Sequence, residues 1–133
     1  MIRVRATGHV CVLALFAVSA FTGCGGDAAP PNSPGGSTNP FTITISSGGS
    51  VTPRPLTVPP GTRVLFVNND TRRHDMTSDQ HPDHLDCPDL NQVGVLNPGQ
   101  RRESGNLVTV RTCGFHDHDD PDNVNLRGSI IVR

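Results

Sequence analysis

The chain has no tryptophan, no tyrosine and no lysine; all 11 of its basic residues are arginine. Aromatic residues make up 4% and hydrophobic residues 34% of 133 positions, which excludes a large core and leaves about one domain's worth of chain. Glutamate occurs once, at Glu103. The aspartates sit in loop-like stretches without an apolar pocket to raise their pKa, and no Ser-His-Asp order stands out, so an enzyme is not expected. A net charge of -1 gives no electrostatic footprint for nucleic acid. No apolar run is long enough to span a bilayer. Helical periodicity is missing too.

What is present is glycine (14), proline (12) and a concentration of histidine. That glycine and proline content argues for short strands joined by many turns. Five of the six histidines (His74, His81, His84, His116, His118) lie in one span, interleaved with nine of the twelve acids.

Residues 1–23 read as a targeting segment. Arg3 and Arg5 precede the apolar stretch Val10–Ala20, and small residues Thr22 and Gly23 precede Cys24. These are the parts of a secretory signal, and the cysteine at the junction makes it resemble a bacterial lipoprotein signal. The resemblance implies cleavage before Cys24, lipidation of Cys24, and an extracytoplasmic protein anchored to a membrane of the cell envelope. Residues 24–40 form a Gly/Pro-rich linker with too little apolar surface to offset its ordering entropy.

Residues 41–133 are the expected folded unit, an all-β sandwich of seven or eight strands. Phe41–Ser46 alternates apolar and polar, Arg63–Val67 is an apolar β-branched run, and Leu107–Thr112 and Ser129–Arg133 read as further strands.

Two clusters carry metal chemistry. One, Asn68 to Met76, follows the strand at Arg63–Val67; the other, Cys113-Gly114-Phe115-His116-Asp117-His118, follows the strand at Leu107–Thr112. A thiolate and two imidazoles from two strand ends match a His₂Cys copper site, in which soft sulfur and two nitrogens form a trigonal plane.

With these residues in order, the chain resembles the cupredoxins, the plastocyanin- and azurin-like blue copper proteins. The stretch Leu56 to Asp70, then His74, is similar to the family's early half. Cys113-x-x-His116 followed by Leu126-Arg127-Gly128-Ser129-Ile130-Ile131-Val132 is similar to its closing half. The resemblance implies a Greek-key β-sandwich that holds one copper ion through His74, Cys113 and His116. It also implies electron shuttling with a redox partner protein. An acidic rim at Asp117–Asp122 would favour a partner with a basic docking face.

Three departures qualify that reading. Leu126 occupies the position of the usual axial methionine. Asp75 follows His74 where the family often has asparagine. Third, Cys87 and Cys113 are the two cysteines of the domain, and in an oxidising compartment they could pair. That bridge would stabilise the fold by about 3.5 kcal/mol and remove the thiolate. Thiolate ligand and disulfide both stay open, and with them a second function: a disulfide-stapled module that binds or carries copper, or only interacts, without electron transfer.

The remaining histidines get the plainer reading. His81 and His84, in His81-Pro82-Asp83-His84-Leu85-Asp86-Cys87, are expected to belong to a solvated loop, although with Cys87, Cys113 and His116 they could build a Cys₂His₂ zinc site. His118 is expected to point away from His116 and to lie outside the ligand set, unless the disulfide forms and a histidine-only copper site replaces the blue one.

Overall fold

A computed structural model describes residues 39–133. The expected signal at 1–23, the lipidated Cys24 and all but the last two residues of the 24–40 linker lie outside the described residues.

Among the described residues, nine strands form two sheets. In chain order they are β1 (Thr42–Ser46), β2 (Ser50–Thr52), β3 (Leu56–Val58), β4 (Leu65–Asn68), β5 (His74–Ser78), β6 (Gly94–Leu96), β7 (Arg101–Glu103), β8 (Arg111–Asp117) and β9 (Gly128–Val132). One sheet has the order β2-β1-β4-β7 and the other β3-β9-β8-β5-β6. Two short 3₁₀ turns, Pro88–Gln92 and Val124–Leu126, are the helical content of the described residues. The all-β sandwich expected from the sequence is present, with one or two strands more than expected.

Alternation explains most strands. In β1, Ile43 and Ile45 are buried while Thr42, Thr44 and Ser46 are half-buried, as a strand with one face on a core requires. Phe66 in β4 meets Phe115 in β8 edge to face, with ring centroids 5.3 Å apart, and so joins the two sheets. A Cβ at Gly128 would overlap the Phe115 ring, so the neighbouring strand must carry glycine there.

The strand expected at Leu107–Thr112 lies further along the chain. Leu107 makes only an isolated bridge to Thr62, and Val108 and Val110 are exposed. Instead β8 starts at Arg111 and runs through Cys113 and His116, two residues expected on a loop. The pairings decide this: Cys113 is registered against Ile130 of β9, and His116 against Thr77 of β5. The central strand of the sheet therefore carries the closing cluster itself.

Candidate metal centre

The first consequence of that shift is geometric. Successive side chains of a strand point to opposite faces, so Cys113, Phe115 and Asp117 share one face and Gly114 and His116 the other. Cys113 is buried in the core cluster and bonded to Cys87. Its sulfur faces away from His116 and is not a free thiolate. Of the two readings left open for this cysteine, the structure contains the disulfide.

His74 is not available either. It opens β5 with its ring fully buried, Nδ1 2.7 Å from Asp117 Oδ2 and Nε2 3.1 Å from Asp70 Oδ2. Each ring nitrogen faces a carboxylate oxygen, so neither nitrogen is open to a metal. Asp70 is held by backbone geometry. Its carboxyl is lowered to about 2, chiefly because the Thr71 N–H donates to it, with help from His74, Gly48 and Arg72 against the opposing effect of burial. Asp117, expected on an exposed acidic rim, is buried and accepts from the backbone N–H groups of Asp75 and Asp119. Leu126, the candidate axial position, is fully buried in the core cluster. The expected His74–Cys113–His116 set is thus not assembled.

A different set is. One ring nitrogen from each of His81, His84, His116 and His118 can be chosen so that all four lie within 4.8 Å of one another. Their ring centroids are between 4.9 and 5.8 Å apart in five of the pairs. Two of these residues come from the end of β8 and two from the segment between β5 and the first 3₁₀ turn, which crosses over β8.

Each inner imidazole is oriented by a partner on its far side. His116 is fully buried, and its Nδ1–H donates to Asp79 Oδ1 at 2.6 Å. His116 Nε2 is buried with no hydrogen-bond partner among the described residues. An orphaned buried nitrogen is costly unless something fills its place. His84 Nδ1–H donates to the Ser78 carbonyl at 2.9 Å, which leaves Nε2 as the lone-pair nitrogen, 3.0 Å from His118 Nδ1. A carboxylate or carbonyl behind each histidine is the usual arrangement that fixes the tautomer of a metal ligand. His84 also has φ 53°, the one positive φ outside glycine among the described residues, and Asn91 Nδ2 donates to its carbonyl. Left-handed backbone held by several contacts is a common feature of functional sites.

The crossing segment is close-fitted. Asp79 N–H donates to the Gly114 carbonyl, and a Cβ at Gly114 would overlap the Asp79 carboxylate. Glycine at 114 therefore permits Asp79 to reach His116. Asp86 pairs with Arg111, and Cys87 N–H donates to Ser78 Oγ. Beside the histidines, Asp79, Asp83, Asp86 and Leu85 line a cavity of about 600 Å³.

Sequence reasoning assigned His81 and His84 to a solvated loop and directed His118 away from His116. His81 and His84 do lie in a loop, His81 exposed and His84 half-buried, but they group with His116, and His118 joins them instead of pointing away. The missed signal was the alternation: residues two apart in an extended chain share a face, so His116-x-His118 is a pair.

The donor set of four imidazoles suits copper, zinc or nickel and lacks the sulfur of a blue copper site. No family model and no curated protein matches the sequence. Among solved structures, the chain is similar to a purple cupredoxin from Nitrosopumilus maritimus (22% identity, TM-score 0.55, 69% of this chain and 98% of that one). It is also similar to oxidised plastocyanin from Dryopteris crassirhizoma (16%, 0.53, 69% and 99%) and to an amicyanin variant in its Cu(I) form (16%, 0.51, 70% and 81%). On these likenesses the chain has the cupredoxin fold.

Proposed function

We propose that this domain binds one copper ion through His81, His84, His116 and His118, and that it does so as a disulfide-stapled copper-binding or copper-carrying module. The observation that carries the proposal is that one ring nitrogen from each of four imidazoles lies within 4.8 Å of the others, with the buried His116 Nε2 left without a partner. Copper, rather than zinc or nickel, is favoured because a set of imidazoles binds Cu(II) most tightly of the divalent series. Solved neighbours of the same fold include a purple cupredoxin and a Cu(I) amicyanin, which agrees with this choice. A bound copper ion would supply Lewis acidity and a Cu(II)/Cu(I) couple. The protein's part is to hold the imidazoles: Asp79 orients His116, and the Ser78 carbonyl orients His84.

A second reading, electron transfer, is favoured by the fold and by the exposure of His81 and His118, through which electrons could leave. The exposed acids Asp83, Asp119, Asp120 and Asp122 would then draw a basic redox partner. In either reading the signal-like segment and Cys24 support an extracytoplasmic, lipid-anchored protein. Cys24→Ser should release it from membranes, and retention would count against lipidation.

The decisive experiment is Cu(II) titration of the oxidised protein followed by its visible spectrum. One equivalent should bind with only a weak ligand-field band. His116→Ala and His84→Ala should each weaken binding sharply, and His74→Ala should leave the stoichiometry unchanged. Copper bound equally well without His84 and His116 would remove the proposal. Reversible voltammetry of the loaded protein separates carrier from electron shuttle.

A further inference from the structure

The Cys87–Cys113 bond closes the segment that carries His81 and His84 onto the strand that carries His116 and leads to His118. Apart from this bond, hydrogen bonds and the exposed Asp86–Arg111 pair tie that segment to β8 and β5. We propose that the disulfide is a redox latch on the metal site: its reduction frees His81 and His84 and releases the metal. This inference rests on the four-histidine reading of the site and adds its regulation.

The chemistry balances with a dithiol as reductant. A thiolate of the dithiol attacks one sulfur of the Cys87–Cys113 bond, forming a mixed disulfide and expelling the other cysteine as thiolate. The second thiolate of the reductant then displaces the remaining protein sulfur. The protein gains two electrons and ends with two thiols after protonation, and the reductant ends as its own disulfide. Both cysteines are buried, so a reductant has to reach them through the cavity they line. Both cysteines line a cavity of about 120 Å³ together with Asp89, Leu107, Val108 and Arg111. The freed Cys113 faces the core, opposite to His116, so it does not replace the lost imidazoles. What remains on β8 and its end is the pair His116 and His118.

The latch is tested by comparing Cu(II) affinity of the oxidised wild type with that of the Cys87→Ser/Cys113→Ser double variant, both free of thiols and reductant. The expected result is a loss of more than tenfold in the double variant with the β-rich far-UV spectrum kept. Losing partners behind a ligand already costs about 10–100-fold, and here two ligands are released. A loss of tenfold or less overturns the latch. If the double variant does not fold, wild type loaded with Ni(II), which thiols do not reduce, is treated with a phosphine while a chromogenic chelator reports free metal. Ni(II) should appear in step with the new thiols, and retention after both thiols are titrated overturns the latch. Failure of the underlying reading is seen separately, as no metal binding by the oxidised wild type before any reduction.

Discussion

His74 Nδ1 lies 2.7 Å from Asp117 Oδ2, and both side chains are buried. Asp117 stands between His116 and His118 in sequence, so this contact fixes the end of β8 that presents them. By its position in the resemblance, His74 should be a copper ligand. In this chain it is a structural tie between β5 and β8.

Replacing His74 by alanine therefore tests stability and not metal binding. The variant leaves Asp117 buried without its ring partner. Leaving a buried acceptor short of a hydrogen-bond partner costs about 1–3 kcal/mol. Urea unfolding should show a midpoint lowered accordingly, while one Cu(II) per chain is still bound below the transition. Loss of copper without loss of stability would restore His74 to the ligand set.

Asp79 gives the opposite prediction. Its carboxylate is half-exposed and accepts from His116 Nδ1 at 2.6 Å. Asp79→Ala removes the group that fixes the orientation of the His116 ring. Copper affinity should fall about 10–100-fold, the usual cost of losing such a partner. Asp79→Asn should restore part of it, because the amide oxygen can still accept. The ratio of the two affinities, read by competition with a chelator, separates orientation of the ring from simple loss of charge. Equal affinity in Asp79→Ala and wild type would exclude this role.

The fold was legible because its signals are local. Phe41–Ser46 and Arg63–Val67 each carry a pattern that burial on one or both faces demands, and β1 and β4 are found there. The site was not legible because it depends on where one strand ends. Leu107, Val108 and Val110 look like strand by composition, yet the pairing of Cys113 with Ile130 pulls the strand to 111–117. That shift turns Cys113 into the core and buries His116 on the opposite face of the strand, with His118 on the same side. Nor does the sequence around His81 and His84 show that the segment folds back over Gly114. That depends on a contact between residues 35 positions apart, Asp79 and Gly114.

Acid should weaken the fold through Asp70. Its carboxyl is lowered to about 2 from an ordinary 3.8. A depressed carboxyl favours the folded state above its unfolded pKa, and that contribution is lost as pH falls through the folded value. The stability owed to Asp70 should thus be complete above about pH 4 and fade between 3.8 and 2. Asp70→Asn should flatten the pH dependence of the unfolding free energy in that window. An unchanged slope would show that Asp70 is not held as described.

The last prediction concerns colour. Cys87→Ser frees the Cys113 thiol, and Cys113-x-x-His116 would then match the blue copper pattern in sequence. The structure predicts that no blue site forms. Cys113 lies in β8 with its side chain in the core, opposite Ile130, while His116 points to the other face three residues later. A trigonal plane containing both would require β8 to leave its ladders with β5 and β9, and His74 would have to give up Asp70 and Asp117. The variant should also lose about 3.5 kcal/mol of stability with its cross-link. Loaded with Cu(II), it should show no intense sulfur-to-copper band in the visible. A strong band that appears in Cys87→Ser and vanishes in the Cys87→Ser/Cys113→Ser pair would place sulfur on the copper and overturn the all-histidine site.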